Sequence, residues 1–428
     1  MNALSMNVGA QKRTDNMKKG SDIRPSKGWE IVVAQNFEEV EAVRDIWVQM
    51  QQAESITVLN ANIDRYLTYV ESMEGTVRPH VIILYYDGDP KAMVIGRIER
   101  HQIPCRLGYK NIFNPSLLCL TVVYGGILGQ PDEDASTVLV RELMNLLRQR
   151  KAGAIFFSYL RTDSNVYKAV RGVPGFWGRS HFPTIQRHWE TQIPRSLDGM
   201  NRLISRKYQR KLNRCIRNLE KASGPLKLDC YRQKKDIEVF VRMASQVSLS
   251  SYQAGLGCRF VNGSVTRSIL NQLQRDGWLR AYVLYSGSEP IAFEYGCVIG
   301  DRYFAESAAY DARFRVYGPG TILQVKIFEQ LALENGVVTY DYGFGDATYK
   351  QRFGDVSWSE ASVYIFAHAL YPIVINLMDS SVKGLSIGAA NLMERLKLTA
   401  KIKRWWKNHL LWTIQRNEKK NITSRNGK

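Results

Sequence analysis

The strongest constraint on the fold is a repeat, because the order of predicted secondary structure in the first half of the chain recurs in the second half. Hydrophobic patterns predict helices and strands around a three-stranded meander in each half. In the first half, elements are expected at residues 30–34, 63–73, 80–86, 92–100, 117–128, 135–148 and 154–159. In the second half, they are expected at residues 226–231, 237–247, 279–285, 291–298, 302–309, 321–333 and 337–342. The repeat predicts two similar α/β (α+β) domains, each with a mixed, mostly antiparallel central sheet flanked by helices.

Residue identities support the repeat. At an offset of 200 residues, five positions of the first meander are identical to their counterparts in the second. They are Leu84, Tyr85, Pro90, Ala92 and Gly96, matched by Leu284, Tyr285, Pro290, Ala292 and Gly296. Each set spans a strand, a turn with proline and the next strand, and hairpins in general share turn chemistry. Together with the matching order of elements, the identities favour a duplicated domain.

Length and charge limit the class of protein. A chain of 428 residues is too long for one ordinary core, which indicates two domains with terminal extensions. Its hydrophobic content of 45% and charged content of 23% are those of a globular protein. The net charge of +19 implies an anionic partner, which could be a nucleic acid, a phosphorylated cofactor, an acidic glycan or a membrane surface.

The six cysteines and six histidines form no metal signature. No C-x-x-C pair occurs, so reduced thiols in a cytosolic protein are expected rather than disulfides or a zinc site. His181 and His188 are seven residues apart and could share a helix face, but two ligands do not make a site. We therefore expect no metal.

Composition divides the chain into five segments. Residues 1–28 are polar and are expected to form a disordered tail, and the first domain follows at 29–195. A basic linker helix is predicted at 196–225, the second domain at 226–370 and a basic helical extension at 371–428. Tryptophans among the lysines of the extension suit a membrane interface, RNA or packing against the domain. With neither a signal peptide nor a clear span, we expect a cytoplasmic protein, with a peripheral position at the inner face of the membrane as a further option.

The linker carries a regular series of arginines. Arg202, Arg206, Arg210 and Arg214 recur every four residues beside an apolar stripe, which predicts an amphipathic helix with a basic face. A solvated face fits this pattern. A surface that binds phosphate or carboxylate also fits, since neighbouring like charges repel one another.

The segment at 302–353 carries the chemistry. It reads as a strand, a glycine turn, an amphipathic helix, a second strand and a loop rich in ionisable groups. Arg315, Gly318 and Gly320 form an R-x-x-G-x-G pattern between the strand and the helix. Glycines let the backbone approach a ligand, and a helix N-terminus offers unpaired N–H groups to an anion. The pattern predicts a diphosphate-binding turn.

This order of elements resembles the GNAT acyltransferase fold, which implies tandem GNAT-like domains. The run Asp341-x-Gly-x-Gly-Asp346-x-x-Tyr349-Lys350-x-x-Phe353 resembles the CelD/BcsL-like acetyltransferases of cellulose and polysaccharide biosynthesis, a group related to the Fem-type aminoacyltransferases. The resemblance covers residues 200–368 and, less closely, 29–195. It implies an acetyl-CoA or other acyl-CoA donor. The implied donor-binding residues are Arg315, Tyr317, Gly318, Gly320 and Thr321.

The first half departs from the family pattern at the equivalent turn, residues 124–134. It has no R-x-x-G-x-G, and acidic residues stand before the helix, where they would repel a diphosphate. One acyl-CoA site is therefore expected, in the second half. The first domain is expected to serve as scaffold and as one wall of the acceptor cleft.

Acyl transfer needs a base for the nucleophile and an acid for the departing thiolate. The resemblance implies Glu306 as the base, with Asp346 and Asp341 as rivals, and Tyr349 as the acid or an acceptor-orienting group. The expected substrate-binding residues are Asp341, Lys350, Arg352 and Arg210. Structural roles stay open for these side chains: an ion pair of Glu306 with Arg302 or Arg315, a buried hydrogen bond for Asp341, loop packing for Tyr349 and an ion pair of Lys350 with Asp346.

The expected function is an acyl-CoA-dependent N- or O-acyltransferase acting on a sugar or amino-sugar acceptor in polysaccharide or cell-envelope biosynthesis. Two alternatives remain open. A Fem-type enzyme that uses aminoacyl-tRNA would account for the net charge and the arginine helix. A catalytically inactive assembly protein would dock on a membrane or a synthase through the basic C-terminus.

Overall fold

A computed structural model describes residues 28–54, 58–107, 110–194, 199, 205–251, 260–334 and 336–395. The chain divides into two compact units. Unit 1 holds the residues up to Arg187 together with Trp358–Ala389, and unit 2 holds His188–Ser357 with the residues after 389. The predicted N-terminal tail, Arg202 and the tryptophan-rich end of the predicted extension lie outside the described residues.

Unit 1 contains a six-stranded sheet with hydrophobic cores on both faces. Across the sheet the order is β1 (Trp29–Ala34), β2 (Val77–Tyr86), β3 (Asp89–Gln102), β6 (Ser116–Leu128), β7 (Ala154–Arg161) and β14 (Val356–Phe366). The short strands β4 (Cys105–Leu107) and β5 (Lys110–Phe113) pair separately. The helices are α1 (Phe37–Ala42), α2 (Arg44–Gln52), α3 (Ile63–Ser72), α4 (Glu133–Arg148), α5 (Asn165–Gly172) and α11 (Leu370–Arg395). Within the six-stranded sheet, β6 and β7 are parallel and the other neighbours are antiparallel.

Unit 2 contains a second six-stranded sheet. Across it the order is β9 (Leu226–Tyr231), β10 (Leu279–Ser286), β11 (Glu289–Ile299), β12 (Arg302–Tyr310), β13 (Thr339–Asp341) and β8 (Thr184–Gln192). Here β12 and β13 are the parallel pair. The helices are α6 (Arg206–Ser223), α7 (Ile237–Leu249), α8 (Ser264–Arg275), α9 (Pro319–Leu333) and α10 (Thr348–Phe353). The core beneath α9 is built on Ile322, Phe328 and Leu331, which are fully buried.

The predicted repeat is visible in the strand register. In unit 1, Leu84 faces Ala92 and Tyr85 faces Pro90, with an irregularity between the two pairs. In unit 2, the counterparts at the same offset, Leu284 with Ala292 and Tyr285 with Pro290, show the same register and the same irregularity. The predicted fold class is confirmed, since both sheets are mixed, mostly antiparallel and flanked by helices.

The sixth strand of each sheet comes from a distant part of the chain. β14 follows the repeat elements of unit 2 in sequence but pairs with β7 of unit 1. β8 follows those of unit 1 but pairs with β13 of unit 2. The sequence placed residues up to 370 in the second domain, whereas the residues from Trp358 onward group with unit 1. The boundary at Trp358 depends on the pairing of β14 with a distant strand, and such pairing leaves no signal in the local sequence. The predicted boundary at 370 therefore differs from the observed one.

The segment at 361–378 forms the end of β14 and the start of α11. No helix in the described part of the chain is long and apolar enough to cross a bilayer.

Candidate functional site

The candidate site in unit 2 starts where two parallel strands separate. Pairing of β12 with β13 ends at Phe304 and Asp341, whereas β12 continues to Tyr310. Glu306 is the extra residue of a β-bulge, since the residues on either side of it pair with consecutive residues of β11. A bulge bends its strand and redirects a side chain. The predicted base therefore lies, half-buried, next to the point of separation.

The predicted diphosphate turn follows β12. A 3-10 turn, Ala312–Tyr317, ends at Gly318, whose φ of 69° and ψ of 50° lie in the left-handed region that favours glycine. Pro319 starts α9, and no side chain caps this helix end. The amides of Thr321 and Ile322 donate back to the carbonyl of Gly318 at 3.0 and 3.1 Å. Gly320, in the first turn of α9, precedes these two donors, and Arg315 is exposed beside the helix N-terminus, so the turn offers positive charge and a helix-start amide to an anion.

Helix α6 joins the turn to the loop that follows β13. It contacts the 3-10 turn of Arg315, and its Tyr208 accepts a hydrogen bond from Arg352 of α10 at 2.6 Å. The guanidinium of Arg352 also lies 4.5 Å from the centre of the Tyr208 ring. Arg210 is exposed on the same helix. Three predicted binding residues thus lie on elements that contact one another.

The loop after β13 is shaped by Asp341. This carboxylate is 4% exposed and accepts hydrogen bonds from the Gly343 amide at 2.7 Å and from the His188 ring at 2.8 Å. Gly343 and Gly345 have φ values of 64° and 83°, which explains both glycines of the D-x-G-x-G run. Asp341 therefore acts here as a loop-forming hydrogen-bond acceptor.

Lys350 is buried in the same loop, with 4% of the residue exposed. Its ammonium donates to the carbonyls of Tyr342, Gly343 and Phe344 at 2.9, 3.1 and 2.6 Å. Because an ammonium has three protons to donate, these carbonyls fix its position and close the loop around it. The loop geometry thus depends on a lysine that its sequence suggested for substrate binding.

Asp346 and Tyr349 lie on the outer side of the loop. Asp346 is exposed and accepts hydrogen bonds from the Trp189 ring at 2.9 Å and from the Gln351 side chain. Tyr349 is 40% exposed, and its ring packs edge-on against that of Tyr342, 6.1 Å between centres. Both side chains are within reach of a ligand from solvent.

Glu294 is a feature of this unit that the sequence reasoning missed. It lies on β11, is 4% exposed, and accepts hydrogen bonds from the hydroxyls of Tyr303 at 3.1 Å and Tyr340 at 2.6 Å. Burial raises its pKa to about 7, although the two tyrosine donors oppose the shift. A glutamate within the apolar run Ile-Ala-Phe-Glu-Tyr was the signal that could have found it.

His188 lies on β8, so the helix face suggested for His181 and His188 is wrong. The reason is that this segment pairs with β13 as a strand. His188, Glu190 and Asp341 place ligand atoms within 4.8 Å of one another and are all buried. Glu190 forms an ion pair with Arg302, and burial raises the pKa of this glutamate while the Arg302 charge opposes the shift. A cation bound by these three residues would meet the guanidinium of Arg302.

Comparison with known families and structures assigns the central part of this chain. The family model described as the acetyltransferase (GNAT) domain matches residues 206–351, which include the turn and most of the loop. A comparison with curated proteins finds no match. The described turn, the parallel strands β12 and β13 and helix α9 all fall within the matched region, so this part of unit 2 is similar to the acetyltransferase (GNAT) domain.

Solved structures are similar to this chain at low sequence identity. A crystal structure of FemX has a TM-score of 0.50 and 11% identity, covering 78% of this chain and 97% of that one. A conserved protein of unknown function from Bacteroides thetaiotaomicron has a TM-score of 0.46 and 12% identity, covering 76% and 97%. A tandem GNAT protein from the clavulanic acid biosynthesis pathway has a TM-score of 0.45 and 10% identity, covering 80% and 100%. At these identities the likeness concerns the fold alone.

Proposed function

We propose that the protein is an acyltransferase that takes its acyl group from acetyl-CoA or another acyl-CoA. The observation that carries the proposal is the uncapped N-terminus of α9 behind Gly318, placed directly after a bulged strand that has parted from its parallel neighbour. Backbone amides and Arg315 would bind the diphosphate. Tyr317, Gly320 and Thr321 complete the donor-binding turn.

The described side chains divide the chemistry between them. Glu306 would accept the proton of an attacking amine or hydroxyl, whose lone pair adds to the thioester carbonyl. The carbon–sulfur bond then breaks, and Tyr349 would protonate the thiolate, with Asp346 as a second candidate for acid–base work. Asp341 and Lys350 would hold the loop in its working shape, and Arg352 and Arg210 would bind an anionic group of the acceptor. Positioning of the reactants supplies a further share of the rate.

We assign the acceptor to the sugars or amino sugars of polysaccharide or cell-envelope biosynthesis. The support is the resemblance of residues 341–353 to the CelD/BcsL-like acetyltransferases. A cytoplasmic enzyme that associates with the membrane or a synthase through its basic C-terminus fits this role. Mass spectrometry of envelope glycans with and without the intact gene product would identify the acceptor.

Calorimetry with acetyl-CoA tests the donor site. Gly320→Trp places a large side chain at the turn, where even a Cβ atom would lie 3.2 Å from the Tyr310 ring. Gly172→Trp is the matched control, because Gly172 ends α5 with no atom near its Cβ position. We expect acetyl-CoA to bind to the wild type and to Gly172→Trp, and not to bind to Gly320→Trp. Equal heats for all three proteins, or none for any of them, would refute it.

Turnover separates an enzyme from an inactive assembly protein. The proposal expects acyl-CoA consumption in the presence of acceptor to fall about a hundredfold or more in Glu306→Gln, since general-base catalysis contributes that much. Glu329→Gln, a carboxylate on α9 that forms a surface pair with Lys326, is the control. A wild type without turnover on any acceptor would favour the assembly role.

A second candidate, a Fem-type aminoacyltransferase using aminoacyl-tRNA, is favoured by one observation. Helix α6, on which Arg206, Arg210, Arg214 and Arg217 are exposed, contacts the Arg315 turn. Such a surface suits a nucleic-acid backbone, whose binding weakens steeply with salt. Retention of tRNA and of CoA on the immobilised protein would be compared across salt concentrations. Absent or salt-insensitive tRNA binding would exclude this candidate.

A further inference from the structure

Unit 1 holds a cavity at the place where its own parallel strands separate. The cavity has a volume of about 520 Å³, a size typical of small-molecule sites, and all its lining residues belong to unit 1. β6 and β7 pair in parallel as far as Val122 and Phe157, and beyond this point both strands are irregular. The walls are therefore the diverging ends of two strands.

The backbone of one wall is strained. Tyr159 on β7 has a φ of 52°, which is uncommon for a residue with a Cβ atom. It lies in the irregular stretch of β7, where Leu160 pairs with Ala361 and Phe157 with Val363. Its ring meets that of Tyr124 edge-on, 6.1 Å between centres. Residues in uncommon backbone conformations cost free energy and are found most often at active sites and ligand-binding sites.

The cavity does not offer a place for a diphosphate. At the start of α4 the carboxylate of Asp132 already accepts the amide of Ala135 at 2.8 Å, and Glu133 and Asp134 follow in the first turn. The glycine-rich loop before the helix is occupied as well, since Glu54 accepts the Gly129 amide at 2.7 Å. The backbone amides that could bind an anion at the start of α4 therefore already donate to carboxylates of the protein. A second acyl-CoA is disfavoured here.

The lining instead suits a positively charged, hydroxylated ligand. Glu360 is 2% exposed and accepts hydrogen bonds from the Tyr124 hydroxyl at 3.0 Å and the Trp358 ring at 2.7 Å. Three carboxylates line the cavity, from Glu54, Asp163 and Glu360, against one basic residue, Arg161. Arg161 pairs with Asp163 at 2.7 Å and also interacts with the charge of Glu360. The lining therefore keeps a net acidic charge in a strongly basic protein.

Aromatic rings and amide groups complete this chemistry. Tyr124, Tyr159 and Trp358 line the cavity, and rings of this type attract ammonium groups. Gln51 and Gln130 add side-chain amides that suit hydroxyl groups. From these observations we propose that the cavity of unit 1 binds an amino sugar with a free, protonated amine, and that Glu360 recognises the ammonium. This site is separate from the donor turn, so the proposal of saccharide binding can fail while that of acyl-CoA binding holds, and the reverse.

Calorimetry of the full chain with a glucosamine disaccharide tests the proposal, with the fully N-acetylated disaccharide as the matched ligand. Acetylation removes the positive charge and keeps the sugar rings, so the acetylated form is expected to bind about tenfold more weakly. Binding of neither disaccharide, or of both equally, would overturn the proposal. Because this comparison uses the wild type, it does not depend on the folding of a variant.

Variants locate the binding. Glu360→Gln keeps the shape of the side chain and is expected to weaken glucosamine-disaccharide binding about tenfold. Glu99→Gln is the control, since Glu99 is also a largely buried carboxylate of unit 1, paired with Arg97. Gly320→Trp is expected to leave saccharide binding unchanged. Unchanged binding by Glu360→Gln, or competition from acetyl-CoA, would refute the assignment of the cavity.

Discussion

The two units share one strand register but differ where their parallel strands separate. In unit 1, Val122 and Ile127 pair with Gly96 and Val94, so four residues of β6 face one residue of β3. In unit 2, Glu306 is the only insertion at the corresponding irregularity of β12. The helix that follows starts with acidic residues in unit 1 and with Gly-Pro-Gly in unit 2. The two units share the meander and differ at the helix start and the bulge, and we propose that these two features decide which ligand each unit binds.

The glycines shared by the repeat give the largest expected difference between the units. At Gly296 a Cβ atom would collide with the carbonyl oxygen of Phe304 and with the Tyr303 ring. At Gly96 the nearest atoms would be a methyl group of Leu120 at 2.8 Å, which can move, and the carbonyl oxygen of His80 at 3.0 Å. We expect Gly296→Ala to lower the free energy of unfolding by about 3 kcal/mol or more, and Gly96→Ala by about 1 kcal/mol. Urea denaturation of both variants measures this.

If Gly296→Ala and Gly96→Ala lowered the free energy of unfolding equally, the strands at Gly296 would not approach more closely than those at Gly96. Gly172→Ala, at the open end of α5, serves as the control for the substitution itself. Its free energy of unfolding is expected to change by less than about 0.5 kcal/mol.

Lys350 of unit 2 holds the loop after β13 through its buried ammonium. Lys350→Met retains the length of the side chain but leaves three loop carbonyls without their donor. We expect a loss of about 2–3 kcal/mol in the free energy of unfolding, together with loss of acyl transfer. Lys326→Met, on the surface of α9, is the control and should cost less than about 0.5 kcal/mol. If Lys350→Met were as stable as that control, the loop would not depend on the buried ammonium.

Glu294 gives unit 2 a pH dependence. Its pKa is raised from 4.5 in the unfolded chain to about 7 in the fold, so folding favours the protonated form. Its stabilising effect is complete below pH 4.5 and is lost as pH rises through 7, by an amount on the order of 3 kcal/mol. Glu294→Gln cannot ionise, so its stability relative to wild type should increase from pH 5 to pH 8. Denaturation curves at several pH values test this, and a constant difference between the two proteins would contradict it.

Much of the fold could be predicted because its signals are local. Alternating and helical patterns located the strands of both meanders and helices α4 and α9, and the offset of 200 residues located the repeat. The glycine turn could also be predicted from the sequence, since Gly318 has a left-handed conformation that few other residues adopt. Fold class follows from such patterns.

The rest depends on contacts between distant segments. Nothing near β8 or β14 indicates which strand each will pair with, so the sequence missed both partners. Lys350 lies among polar residues that read as a solvated loop, and only its three carbonyl partners show that it is buried. A shared helix face was suggested for His181 and His188 because a spacing of seven residues fits one, while the place of His188 on β8, which pairs with β13, makes it a strand residue.

Hydrogen exchange with saturating acetyl-CoA tests most directly the claim that one unit binds the donor. Amides at an uncapped helix start exchange rapidly unless a ligand accepts their hydrogen bonds. The prediction is slower exchange at residues 320–322, in the first turn of α9 after Pro319, and no change at residues 132–136, at the start of α4. Protection at the start of α4, or at neither helix, would contradict the account.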